Sequence, residues 1–224
     1  MTAGTIDRHS LLALCVAAAT VVATFFTSSA GAADSETRTT EPFHAVMFAG
    51  SWTVDVKVGG ERSVVIEGKK DLIDRVKTEV VDGELRIGLD DTVFSLFGKH
   101  DLDGLTAHVT VPELTAFTLN GSGKADIGGL TGGTTKFMLD GSGDILAKGK
   151  LDTVSLVVNG SGTANLSALA AAKASAMVNG SGDAMVDPRE TLAASINGSG
   201  QVTYAHEGVK VTSVIHGSGM VEKK

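Results

Sequence analysis

Cysteine is almost missing from this chain. The single Cys15 lies inside an N-terminal apolar segment, so a form lacking that segment would carry no thiol. Its fold would then rest on burial and backbone hydrogen bonding, without disulfides. Aromatic residues are scarce too: eight Phe, one Tyr and one Trp in 224 residues. That supply suits thin, closely stacked layers better than a deep globular core. No linker rich in Pro or Ser interrupts the chain near residue 112, which favours one domain over two. Basic charge does not accumulate either. A formal net charge of −7, with no Lys/Arg stripe interleaved with aromatics, argues against nucleic acid as a partner. Beyond residue 26 no apolar run is long enough to span a bilayer.

The first 32 residues have the layout of an export signal. Arg8-His9-Ser10 precedes an apolar or small stretch from Leu11 to Phe26, and Ala30-Gly31-Ala32 offers a small-x-small cleavage site. The stretch is marginal as a membrane span, so a retained anchor is the lesser alternative. Leu14 stands where a lipid-attachment signal before Cys15 would need a small residue. The expected organisation is a signal peptide over 1–32, a flexible leader over 33–42 and a single domain over 43–224. The location is then periplasmic, secreted or at the cell surface.

Glycine, by contrast, is abundant, and its placement is periodic. Six corners recur: Asn120-Gly121-Ser122-Gly123, Asp140-Gly141-Ser142-Gly143, Asn159-Gly160-Ser161-Gly162, Asn179-Gly180-Ser181-Gly182, Asn197-Gly198-Ser199-Gly200 and His216-Gly217-Ser218-Gly219. Their first glycines step by 20, 19, 20, 18 and 19 residues, the signature of stacked structural repeats. Two residues before each first glycine stand Leu119, Leu139, Val158, Val178, Ile196 and Ile215. Four residues before it the series is Phe117, Phe137, Leu156, Ala176, Ala194 and Ser213, shrinking toward the C-terminus. Apolar positions and both glycines share one parity, while the Asn and Ser fall on the other. This is strand alternation with one buried face, running through the corner. The expected fold is all-β, a right-handed parallel β-helix with coils of about 19 residues stacked at about 4.8 Å. Asn and Ser would stack as polar ladders at the corners. Nine-residue calcium repeats and phosphate-cradling loops do not fit the spacing.

The first half is less regular. Trp52 to Val58 alternates cleanly up to Gly59-Gly60, and Arg62 to Glu67 reads as its hairpin partner. Asp71 to Val76 suggests a helical turn or two capped by Asp71. Val76–Val81 and Glu84–Leu89 flank an Asp82-Gly83 turn, a second hairpin. The segment 90–104 is a loop whose Val93-Phe94-Ser95-Leu96-Phe97 would cover an open end, and Leu105–Val111 is a strand closed by Pro112. Ala49-Gly50-Ser51-Trp52 echoes the corner.

Taken together, Phe43, the Gly50-Ser51 strand, Asp82-Gly83-Glu84-Leu85, the Val111-Pro112-Glu113-Leu114 step and the Gly-Ser-Gly series resemble the bacterial head GIN domain family, which carries an auto-transporter adhesin label. The resemblance covers essentially the whole of 43–224. It implies an exported β-helical envelope domain of unknown biochemical function, and it supplies no catalytic residues. A self-transporting chain would need an outer-membrane barrel, whereas this sequence stops after the sixth corner.

Catalysis on a β-helix would need clustered carboxylates, or a base beside a cation. One column offers candidates three residues past the first glycine: Lys124, Asp144 and Asp183, with the two carboxylates two coils or about 10 Å apart. Lys124 beside Asp144 reads more simply as a surface ion pair. Asp140 is expected to accept turn amide hydrogens rather than hold a cation. His216 is expected to be exposed on the last coil, and His100, His108 and His206 suggest no metal site. Asn-Gly-Ser matches a glycosylation sequon four times, as does Asn165-Leu166-Ser167, read here as a by-product of the corner. Trp52, Phe94 and Phe97 are expected to be buried. The reading is a non-enzymatic cell-envelope module without cofactor, presenting a repetitive polar face to an envelope glycan or protein. The alternatives are a carbohydrate-active β-helix enzyme, marked by three or more charged groups in one groove, or a structural assembly protein.

Overall fold

A computed structural model describes residues 34–89, 102 and 104–224. The expected signal peptide, Cys15, His100 and the Val93–Phe97 cover therefore lie outside the described residues. The rest is built almost wholly of strands. After β1 (Asp34–Arg38) come β2 (Ala45–Gly50), β3 (Thr53–Val58) and β4 (Ser63–Gly68). A four-residue helix α1 (Lys70–Ile73) leads to β5 (Val76–Val81), β6 (Glu84–Leu89) and β7 (Thr106–Val111). The regular part holds β8 (Ala116–Gly121), β9 (Lys124–Thr131), β10 (Thr134–Gly141), β11 (Asp144–Gly160), β12 (Thr163–Gly180) and β13 (Asp183–Gly198), then β14 (Gln201–Tyr204), β15 (Lys210–Gly217) and β16 (Met220–Lys223).

The strands stack as a parallel β-helix. On the side before each corner, β2, β8, β10 and the later halves of β11, β12 and β13 pair in parallel and end on β15. On the side after it, β3, β9 and the earlier halves of β11, β12 and β13 pair in parallel with β14 and then β16. The register sets Gly121, Gly141, Gly160, Gly180, Gly198 and Gly217 in one column. Gly50 joins that column opposite Gly121, so the Ala49–Trp52 echo is a seventh rung.

Burial follows the parity read from sequence. Leu119, Leu139, Val158, Val178 and Ile196 are fully buried, as are Phe117 and Phe137. Ile215 lies in the same column yet is 41% exposed, because no further strand covers β15. The core narrows along the axis, Phe117 and Phe137 giving way to Leu156, Ala176 and Ala194. Trp52 is buried and packs edge-on against Phe48, ring centroids 4.7 Å apart.

The N-terminal part corrects three expectations. The 33–42 leader contains β1, which pairs antiparallel with the free edge of β4. Its Arg38 donates to the Ile73 carbonyl at 2.9 Å. β4 is not the hairpin partner of β3: β7 lies between them, antiparallel to β4 and parallel to β3. Helix α1 starts two residues earlier than an Asp71 cap would place it, with Lys69 at its N-cap and no side-chain cap; Asp71 sits in its first turn. In addition to these corrections, the structure shows β6 and β7 extending the two sides beyond β2 and β3. From β7 the chain therefore steps over the β2–β3 coil to begin β8 on its other side. The β5–β6 hairpin forms as read, turning at Asp82 (φ 52°) and Gly83 (φ 77°), the left-handed pair that a two-residue turn requires.

Candidate functional site

The corner is bonded from rung to rung through its backbone. Ser161 N donates to Gly141 O at 3.0 Å and Ser181 N to Gly160 O at 2.9 Å, and Thr163 N reaches Gly143 O at 3.0 Å. This absorbs the peptide groups that a tight turn would otherwise leave unpaired. The glycines are demanded by that closeness. A Cβ on Gly180 (φ 129°) would lie 2.3 Å from Gly160 O, and one on Gly182 would lie 2.6 Å from Gly162 O. All six corner serines, Ser122, Ser142, Ser161, Ser181, Ser199 and Ser218, are exposed. No hydrogen bond joins their hydroxyls among the described residues, so they form a row without a ladder.

The amide column is a true ladder over part of its length. Asn159 Nδ2 donates to Asp140 Oδ1 at 2.5 Å, Asn179 Nδ2 to Asn159 Oδ1 at 2.8 Å and Asn197 Nδ2 to Asn179 Oδ1 at 2.8 Å. Asp140 thus accepts a neighbouring amide side chain rather than turn amide hydrogens; Ser142 N and Gly143 N go to Gly121 O instead. The carboxylate fixes the direction of the whole series. It can only accept, so Asn159 must turn its NH2 toward it, which leaves Oδ1 facing Asn179, and the choice propagates. Asn120 and His216 stand in the column but outside these bonds.

Lys124, Asp144 and Asp183 fall in one column as expected: Lys124 opposite Asp144, then Thr163, then Asp183. The anticipated Lys124–Asp144 ion pair does not form, and the two carboxylates stay two rungs apart. This column assembles no acid–base pair.

Two other surfaces carry more. Before the corner, one outward row runs Met47, Thr118, Met138, Val157, Met177, Ser195 and Val214 across seven strands. Met138 is 38%, Met177 40% and Val214 52% exposed. A face read as polar is therefore apolar one row in from the Asn ladder. Beyond the corner, a groove of about 490 Å3 is lined by Asp55, Lys57, His108, Asp126 and Lys148, among others. Ionisable side chains in and beside it form two contact groups over five strands. Glu67 Oε2 lies 3.3 Å from His108 Nε2, His108 Nδ1 lies 3.3 Å from Asp55 Oδ2, and Lys148 Nζ lies 3.0 Å from Asp126 Oδ1. Asp55 and Asp126 are register neighbours on β3 and β9.

Sequence reasoning passed over this groove. Asp55 and Asp126 each stand five residues past a first corner glycine, Gly50 and Gly121, and would have been found had the first echo been counted as a rung. His108 follows no corner and had no such marker. A second cluster holds the nearly buried Asp187, whose Oδ2 accepts from Arg189 at 2.8 Å. His206 Nε2 is 2.9 Å from Oδ1, close but without hydrogen-bond alignment. Among the described residues no three His, Cys, Asp or Glu side chains are grouped to hold a metal ion.

Residues 42–208 match one family, described as "Putative auto-transporter adhesin, head GIN domain". The chain belongs to this family. Among solved structures, a "putative adhesin" from Bacteroides fragilis NCTC 9343 shares the fold with TM-score 0.70 at 17% identity, covering 87% of this chain and 98% of that one. A "putative lipid binding protein" from Parabacteroides distasonis ATCC 8503 aligns with TM-score 0.52 at 21% identity, over 87% of this chain and 98% of that one. At such identities the likeness is one of fold. No curated protein matches the sequence.

Proposed function

We propose that this head GIN domain is an exported, non-enzymatic module of the cell envelope. It offers the outer face before the corners to a protein partner. The observation that carries this reading is the row from Met47 to Val214. It repeats at the rung spacing, exposes thioether and aliphatic side chains, and lies beside the Asn ladder. Methionine adapts to partner surfaces, and an exposed apolar row rimmed by polar residues is the usual mark of an interaction site. A glycan partner fits less well. The described aromatics Phe43, Phe48, Trp52, Phe117 and Phe137 are buried, and Tyr204 is half-buried, which leaves little to stack on a sugar ring. The adhesin description of the family supports a binding role.

The groove favours a second reading, a carbohydrate-active enzyme, because charged groups do converge there. Against it, His108, Asp55, Glu67, Asp126 and Lys148 are each 43–55% exposed and each already lies against another member of the group, the pattern of a surface network. One experiment separates the readings. The purified chain is screened against envelope proteins and polysaccharides, with product analysis of every polysaccharide incubated. Binding lost in Met138→Glu/Met177→Glu and kept in Asp126→Ala/Lys148→Ala supports the face. Shortened or unsaturated sugars, abolished by Asp126→Ala, would replace it with the enzyme.

A further inference from the structure

Four corners share the tetrapeptide Asn-Gly-Ser-Gly: those of Asn120, Asn159, Asn179 and Asn197. An Asn followed by Gly is chemically labile. The glycine nitrogen attacks the Asn side-chain carbonyl carbon, a C–N bond forms and ammonia leaves. Water then opens the resulting succinimide to aspartate or isoaspartate. The net change is one amide and one water in, one acid and one ammonia out. With the same residues at all four sites, chain chemistry alone makes them nearly equal.

The fold removes the backbone as a variable as well. The four following glycines have φ of 123°, 124°, 129° and 134°, and they occupy equivalent places in one register column. What differs is how each side-chain amide is held. Asn159 donates to Asp140 and accepts from Asn179; Asn179 donates to Asn159 and accepts from Asn197. Each is anchored through both atoms of its amide. Asn197 donates to Asn179 and has no donor to its own oxygen, so it is anchored once. Asn120 makes neither bond among the described residues. Its neighbours in the column are Ala49, which has no polar side-chain atom, and Asp140, whose bond goes to Asn159.

We infer that Asn120 is a built-in site of spontaneous deamidation, and that the ladder protects Asn159 and Asn179 from the same reaction. To cyclise, the side-chain carbonyl carbon must swing toward the glycine nitrogen, which breaks every ladder bond it holds. Two ordinary hydrogen bonds slow that step by about tenfold or more. The expected order of rates is Asn120 first, Asn197 next, Asn159 and Asn179 last. The product places a new carboxylate beside Asp140. An isoaspartate would also lengthen the main chain where Gly50 O already lies 2.5 Å from where a Cβ on Gly121 would sit. Modification would therefore loosen the seam between the Gly50 and Gly121 rungs and add negative charge at the edge of the Met row.

The test is a time course of the purified chain at mildly alkaline pH and physiological temperature, with peptide mapping by mass spectrometry. A parallel course in strong denaturant gives each site its unfolded rate. We expect near-equal rates in denaturant and, in the native protein, conversion at Asn120 about tenfold or more faster than at Asn159 and Asn179. Asp140→Ala removes the acceptor of Asn159, leaves it anchored once, and should raise the rate at that site toward the Asn197 value. Equal native rates at all four sites, or Asn159 or Asn179 leading, would overturn the inference without any variant. So would an unchanged Asn159 rate in folded Asp140→Ala.

Discussion

Replacing three glycines by alanine separates two reasons for the periodic Gly. Gly132 has φ 65° and open space around it, with nothing within 4 Å of an added Cβ. Gly132→Ala therefore meets only the left-handed backbone penalty, about 1 kcal/mol. Gly182 needs no left-handed backbone, but its added Cβ would lie 2.6 Å from Gly162 O and 2.8 Å from Val158 Cγ1. That carbonyl cannot swing away freely, since it accepts Asp183 N at 3.0 Å. Gly182→Ala should cost about 3 kcal/mol, the upper end of overpacking. Gly180→Ala combines φ 129° with a carbonyl at 2.3 Å and should cost about 4 kcal/mol or more. For a chain of this size these become Tm losses of roughly 2–4 °C, 6–12 °C and more than 8 °C respectively. Urea and thermal unfolding followed by far-UV circular dichroism, with Trp52 emission as a second probe, measure all three. If Gly182→Ala loses no more stability than Gly132→Ala, the rungs are not packed as tightly as the corner argument requires, and the explanation of the repeat fails.

Two smaller tests use side chains. Asn179→Ala removes two ladder bonds at a half-buried position and should cost about 1–2 kcal/mol, against under about 0.5 kcal/mol for Asn120→Ala, by urea titration. Trp52→Phe keeps the packing against Phe48 and deletes an indole N–H that has no hydrogen-bond partner. It should cost less than about 1.5 kcal/mol, against about 3–5 kcal/mol for Trp52→Ala, read from thermal melts.

What the sequence made legible follows from which interactions are periodic. The corners, the buried columns through Leu119 and Phe117, and the register itself could be counted off the residues, because every rung repeats the same steric demand. The pairing of the first half could not. The Thr53–Val58 and Ser63–Gly68 strands have the spacing of a hairpin, and only the preference of β3 for a parallel neighbour on each side places β7 between them. Asp34–Arg38 is too polar to announce a strand; it is one because β4 offers an open edge. Of the candidate surfaces, the corner ladder was readable in outline. Asp140's role was not, since it depends on the hydrogen-bonding polarity of Asn159 above it. The Met row was obscured because Thr118 and Ser195 interrupt it, and because outward positions were taken to be polar.

The step of the chain over the β2–β3 coil bears on the order in which the molecule can be assembled. β2 and β3 come early in the sequence, yet both of their parallel neighbours on each side come late: β6 and β7 above, β8 and β9 below. A polypeptide emerging N-terminus first cannot complete this layer until residue 131 is free. Until then Val46, Phe48, Trp52, Val54 and Val56 can be covered from the β6–β7 side only. The nucleus must instead lie where successive rungs are also successive in sequence, from β8 to β13, and the N-terminal layer is threaded onto a stack that already exists.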